Sequence, residues 1–118
     1  MVYVEWTVGE KTYKLRLGAK QVADLEKRLG GASPLSIFAG VEDNQMPQLN
    51  KVLLVLHASL VKYQHGLKEE DIYDIYDEYV EKENKSLTDL IPVLVEVFKS
   101  AGLIPKDIDV ENEEQTKN

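Results

Sequence analysis

Two histidines, a run of carboxylates, a double glycine and an Asn-Lys-Ser triplet are the residues of this chain whose types could amount to chemistry. His57 and His65 stand eight positions apart. On one helix that is two turns, and no carboxylate lies beside either at ligand spacing, whereas a zinc site needs three or four convergent donors. Nine Asp/Glu fall within residues 67–90. They lack the D-x-D-x-D-G loop that wraps calcium, and they read as helical. A glycosidase carboxylate pair needs a substrate cleft that nothing in the pattern indicates. Gly30-Gly31 follows a helix rather than a strand and lacks the further glycine and lysine of a phosphate loop. Asn84-Lys85-Ser86 matches a glycosylation sequon, which matters only in an exported protein. Cysteine is absent, so there is neither a disulfide framework nor a thiolate metal site. With no nucleophile–base pair and no metal set to name, the expectation is a protein that is not an enzyme, holds no cofactor and acts by contact.

Composition bounds that contact. The 118 residues suffice for one domain with one modest core. The formal charge is −7 and unevenly spread: residues 1–31 hold six Lys/Arg against four Asp/Glu, while residues 67–90 hold three Lys against nine Asp/Glu. Nucleic-acid binding is disfavoured, because phosphate would be repelled by most of the surface. A slightly basic front and an acidic back leave head-to-tail self-association open. No basic-then-apolar leader opens the chain, and the apolar run Val52–Leu56 is far shorter than the roughly 18 residues of a membrane span. The expectation is therefore a cytoplasmic protein with no membrane contact.

The elements that position these residues follow from periodicity. Val2, Val4, Trp6 and Val8 alternate with polar neighbours, as do Tyr13, Leu15 and Leu17 after a glycine-first turn at Gly9-Glu10. This predicts a β-hairpin with one face covered by helices, anchored by Trp6. A helix is expected over 19–29, closed by Gly30 or Gly31. Ser33-Pro34 caps a short helix through Leu35, Ile37 and Phe38, and residues 41–46 read as a polar loop. Pro47 can open a helix running to His65, about 28 Å long. Its broad arc of Leu49, Val52, Leu53, Leu56, Leu60 and Val61 suggests a central position, and His65 is placed to favour its C-terminus. A helix over 68–84 sets Ile72, Tyr73, Ile75, Tyr76, Tyr79 and Val80 against Asp74, Asp77, Glu78 and Glu81. Ser86 with Asp89 resembles a capping box before a last helix carrying Leu87 to Phe98 and ending at Gly102, and Pro92 should kink that helix or set its start near residue 91. The fold class is thus α+β, mostly α: an N-terminal two-stranded hairpin on four to five helices. A single domain over 1–105 is followed by an acidic disordered tail, 106–118.

The order of a short hairpin, Leu15-Arg16-Leu17-Gly18, a helix holding Leu25-Glu26 and ending Leu29-Gly30, then Ser33-Pro34-Leu35, resembles the small tail assembly chaperones of long-tailed bacteriophages and prophages. Leu103-Ile104-Pro105 resembles that family's C-terminal boundary. The resemblance implies a virion-assembly protein that binds the tape-measure protein, keeps it soluble and meets the tail tube protein as the tube forms. It implies a longer form in many such phages, made by frameshifting, and a hydrogen-bonding role for Glu26 beneath the hairpin. Helix-in-groove contact would fall on Leu49, Val52, Leu53, Leu56, Leu60, Ile72, Tyr73, Tyr76, Tyr79 and Val80. Two other readings stand beside it. One is a small acidic regulator or inhibitor that mimics nucleic acid, with helix 68–84 wholly exposed; the other is a structural tail component that polymerises by itself.

Overall fold

A computed structural model describes residues 2–105; the expected tail at 106–118 lies outside the described residues. The hairpin forms from β1 (Val4–Val8) and β2 (Lys11–Leu15), paired antiparallel with Trp6 opposite Tyr13 and Val8 opposite Lys11. Alternation puts Trp6, Val8, Tyr13 and Leu15 on the covered face and leaves Glu5, Thr7, Thr12 and Lys14 exposed.

Four α-helices follow: α1 (Ala19–Arg28), α2 (Leu49–Leu60), α3 (Glu69–Glu83) and α4 (Leu90–Ser100). The molecule is α+β and mostly helical, as the periodicities required. Short 3-10 turns sit at Pro34–Phe38, Val41–Asp43 and Leu87–Asp89. The first is capped by the Ser33 hydroxyl, which accepts from the Leu35 N–H. The second lies where the sequence reads as irregular loop.

The glycine stops are specific. Gly30 (φ +71°) and Gly102 (φ +78°) occupy the left-handed position that side chains avoid. There the Gly31 N–H donates to Glu26 O and the Leu103 N–H to Phe98 O, the six-to-one bond that closes α1 and α4. Ser86 and Asp89 also meet as expected: the Ser86 N–H donates to Asp89 Oδ2 at 2.8 Å and the Asp89 N–H to Ser86 O at 3.0 Å. Pro92 produces no kink inside the helix, because α4 begins at Leu90 and the proline falls in the first turn, where its missing N–H has no intrahelical partner to lose.

The largest departure is α2. Its 12 residues, about 18 Å, replace the expected run from Pro47 to His65. The helix stops early where a donor from outside it takes one of its last carbonyls: Ser59 O accepts the Arg16 N–H at 2.8 Å. Leu60 O still receives the Gln64 N–H at helical spacing (2.9 Å), and it also accepts the Gln64 side-chain amide at 2.7 Å. His65 therefore lies beyond the helix. The histidine in the last turn is His57, whose Nε2–H donates to Leu67 O at 2.8 Å and pins the connection to α3.

The core gathers Trp6, Leu15, Leu17 and Leu25 with Val52, Leu53, Leu56 and Leu60 of α2 and Leu90, Leu94, Val97 and Phe98 of α4. α2 touches α1, α3, β2 and the first 3-10 turn, so all but the Leu49 end of its wide apolar arc is covered within the chain. Trp6 is 4% exposed, with ring centroids 5.7 Å from Tyr13 and 5.3 Å from Tyr79.

Candidate functional site

The ten side chains expected at a partner surface divide sharply. Val52, Leu53, Leu56, Leu60, Ile72 and Tyr79 are buried in the core and reach no partner unless the domain opens. Their assignment to a surface is corrected by packing: β2, α1 and α3 cover the α2 arc, and the hairpin covers Tyr79. Leu49 (39% exposed), Tyr73 (43%) and Val80 (38%) remain at the surface, with Tyr76 half-buried between them in sequence. Glu26 also departs from expectation. It is exposed, and among the described residues its side chain makes no hydrogen bond; its backbone carbonyl does the work, in the α1 cap.

On α3, Tyr73, Tyr76 and Val80 follow i, i+3, i+7 spacing and form one strip along the edge of the buried face. Glu70, Asp74, Asp77 and Glu81 repeat at i, i+4, i+7, i+11, are all exposed and run beside it as an acidic ridge. The helix holds this register through both ends. The Lys68 N–H donates to Asp71 Oδ2 at 2.8 Å, and Asn84 (φ +53°) ends it in the left-handed conformation that asparagine tolerates. Arg28 of α1 pairs with Glu69, which fixes the start of α3 against the end of α1. That hydrogen bond holds the Glu69 carboxyl below its ordinary value.

The phenols on this side are shifted against reactivity. Burial pushes Tyr13, Tyr76 and Tyr79 upward, with Glu78, Asp77 and Asp89 respectively adding negative charge nearby. A tyrosine used as nucleophile or base needs the opposite shift. The Trp6 indole N–H is buried without a hydrogen bond of normal geometry among the described residues, and it lies near the Tyr79 hydroxyl.

Two concavities lie elsewhere, neither of them lined by Tyr73, Tyr76 or Val80. One, of about 390 Å³, lies between the hairpin turn and α3, lined by Val8, Lys11, Tyr13, Asp74, Glu78 and Lys82. Its charges are already matched in part, since Lys82 Nζ sits 3.3 Å from Glu78 Oε1. The other, about 210 Å³, is a groove between α1 and α2 floored by Leu25 and Ala58, with Val61, His57 and Arg28 on its walls. Neither was visible in the sequence, because each needs two elements brought side by side. Among the described residues no three His, Asp or Glu converge to hold a metal ion, and no helix is long and apolar enough to cross a membrane.

The hairpin on its helices defines a small, mostly helical α+β domain that carries an aromatic strip on α3. The chain belongs to DUF6096, a family of unknown function, which it matches over residues 4–116. No curated protein and no solved structure matches it.

Proposed function

We propose that this protein is a tail assembly chaperone of a long-tailed bacteriophage or prophage, which binds the tape-measure protein in the bacterial cytoplasm and keeps it soluble until the tail tube protein assembles around it. The observation that carries this reading is the strip Tyr73–Tyr76–Val80, left open on α3 beside four exposed acids. The residues of the family resemblance support it from beneath: Leu15, Leu17 and Leu25 are core, and Gly30 and Ser33 are caps, so they describe the scaffold that holds α3.

The mechanism is helix-in-groove contact without any bond made or broken. An amphipathic segment of the partner lays apolar side chains on the tyrosine–valine strip, where each phenol supplies an apolar body and a polar tip. The acidic ridge favours segments flanked by Lys or Arg, and it makes loaded complexes repel one another. The acidic-mimic reading expects α3 wholly exposed; the burial of Ile72 and Tyr79 favours the chaperone reading over it.

Co-expression with a tape-measure protein from the same phage or prophage tests the proposal. The expected result is a soluble complex recovered by pull-down and a tape-measure protein that precipitates when expressed alone. Recovery of the tape-measure protein in the soluble fraction regardless of this chain, with no complex formed, would falsify it.

A further inference from the structure

The two edges of the hairpin are treated differently. Val8 faces Lys11 across a two-residue turn, so the residues whose N–H and C=O point away from the partner strand are Thr12, Lys14 and Arg16 on one side and Glu5 and Thr7 on the other. The β2 edge is sealed. The Gln64 side chain imitates a strand, accepting from the Lys14 N–H and donating to Lys14 O at 2.9 Å each, and Ser59 O takes the Arg16 N–H at 2.8 Å. The β1 edge has no such cover among the described residues. Among the described residues nothing donates to or accepts from the backbone of Glu5 or Thr7. Val4–Val8 also lacks the proline, lysine or bulge with which proteins blunt an open edge.

We infer that β1 is the interface for a second copy of this chain, the two β1 strands pairing antiparallel about a two-fold axis at Trp6 to give a four-stranded sheet ordered β2-β1-β1-β2. The register follows from the chemistry of the edge. Glu5 of one copy exchanges both backbone hydrogen bonds with Thr7 of the other, and the reverse pair repeats them. On the exposed face each Glu5 then meets a threonine, and on the covered face Val4 meets Val8. Sliding the pair to set Glu5 against Glu5 brings like charges together, which antiparallel neighbours disfavour. Sliding it the other way requires the Gly9 N–H, which is already given to Glu83 Oε2 at 2.9 Å. The interface is isologous, using the same patch twice, and it is argued from the β1 backbone without Tyr73, Tyr76 or Val80, so it does not rest on the chaperone reading.

The test is the mass of the full chain by light scattering across roughly 10 µM to 1 mM, with amide exchange of Glu5 and Thr7. The expected result is a rise from monomer to dimer mass, with protection at these two amides that grows with concentration. Thr7→Pro removes an N–H that the monomer does not use and is expected to keep the chain monomeric throughout. Thr7→Glu and Thr7→Lys place a charge opposite Glu5 and are expected to shift the dimer constant several-fold in opposite directions, weaker and tighter. A wild-type chain that stays monomeric, protection independent of concentration, or a dimer indifferent to all three variants overturns the inference.

Discussion

Arg16 and Ser100 lie 84 residues apart and touch: the Arg16 guanidinium donates from Nη1 to the Ser100 carbonyl at 2.6 Å. The same residue gives its backbone N–H to Ser59 O. One residue at the end of the hairpin thus ties down the C-terminal ends of α2 and α4, where unpaired carbonyls concentrate negative charge.

Arg16→Ala is expected to destabilise the fold by about 2 kcal/mol, the scale of a hydrogen bond to a charged group. Arg16→Lys restores part of this, since an ammonium also suits a helix C-terminus but cannot copy the planar donor. Chemical denaturation of the three proteins measures the order wild type, Lys, Ala.

Acid should act through Asp89. Its two hydrogen bonds from Ser86 hold the carboxyl below the ordinary 3.8. A carboxylate depressed in the folded state stabilises above its unfolded value and loses that contribution as pH falls through the folded one. Asp89→Asn should therefore melt lower than wild type at pH 7, and the gap should close below 3.8. Thermal melts of both proteins across that range give the curve; a gap that persists in acid would rule out the linkage.

Alkali should act through three phenols. Tyr13, Tyr76 and Tyr79 are raised above 10.0 by burial. Because the protonated phenol is favoured in the folded state, stability is intact below that value and falls as pH rises through the higher folded values. Ultraviolet titration should show these three ionising late, together with loss of helical circular dichroism. Tyr79→Phe should remove one late phenol without removing its ring packing on Trp6.

The α3 strip and the α2 arc should separate binding from folding. Tyr73→Ala with Val80→Ala removes half-exposed side chains, at a cost of about 1 kcal/mol or less, and should abolish capture of the tape-measure protein. Leu56→Ala opens the centre of the core and should cost about 2–5 kcal/mol. Melting temperature and pull-down yield on the same preparations show whether the two effects come apart.

The local grammar of this chain was legible because it depends on neighbours in sequence. Alternation at 2–8 and 11–17, the glycine stops at 30 and 102, the cap at Ser33 and the Ser86–Asp89 box each satisfy backbone groups within a few residues of themselves. The extent of α2 was not, because the donor that takes Ser59 O near its end arrives from Arg16. The candidate surface was half legible for the same reason. Periodicity finds an apolar face, but the packing of β2, α1 and α3 decides that Leu53 and Leu56 are interior while Tyr73 and Val80 stay wet. By itself, then, the sequence determined which segments are strand and helix and that the class is α+β. Only the tertiary structure decided which apolar side chains remain available and which strand edge stays open, since burial and edge pairing belong to residues distant in the chain and close in space.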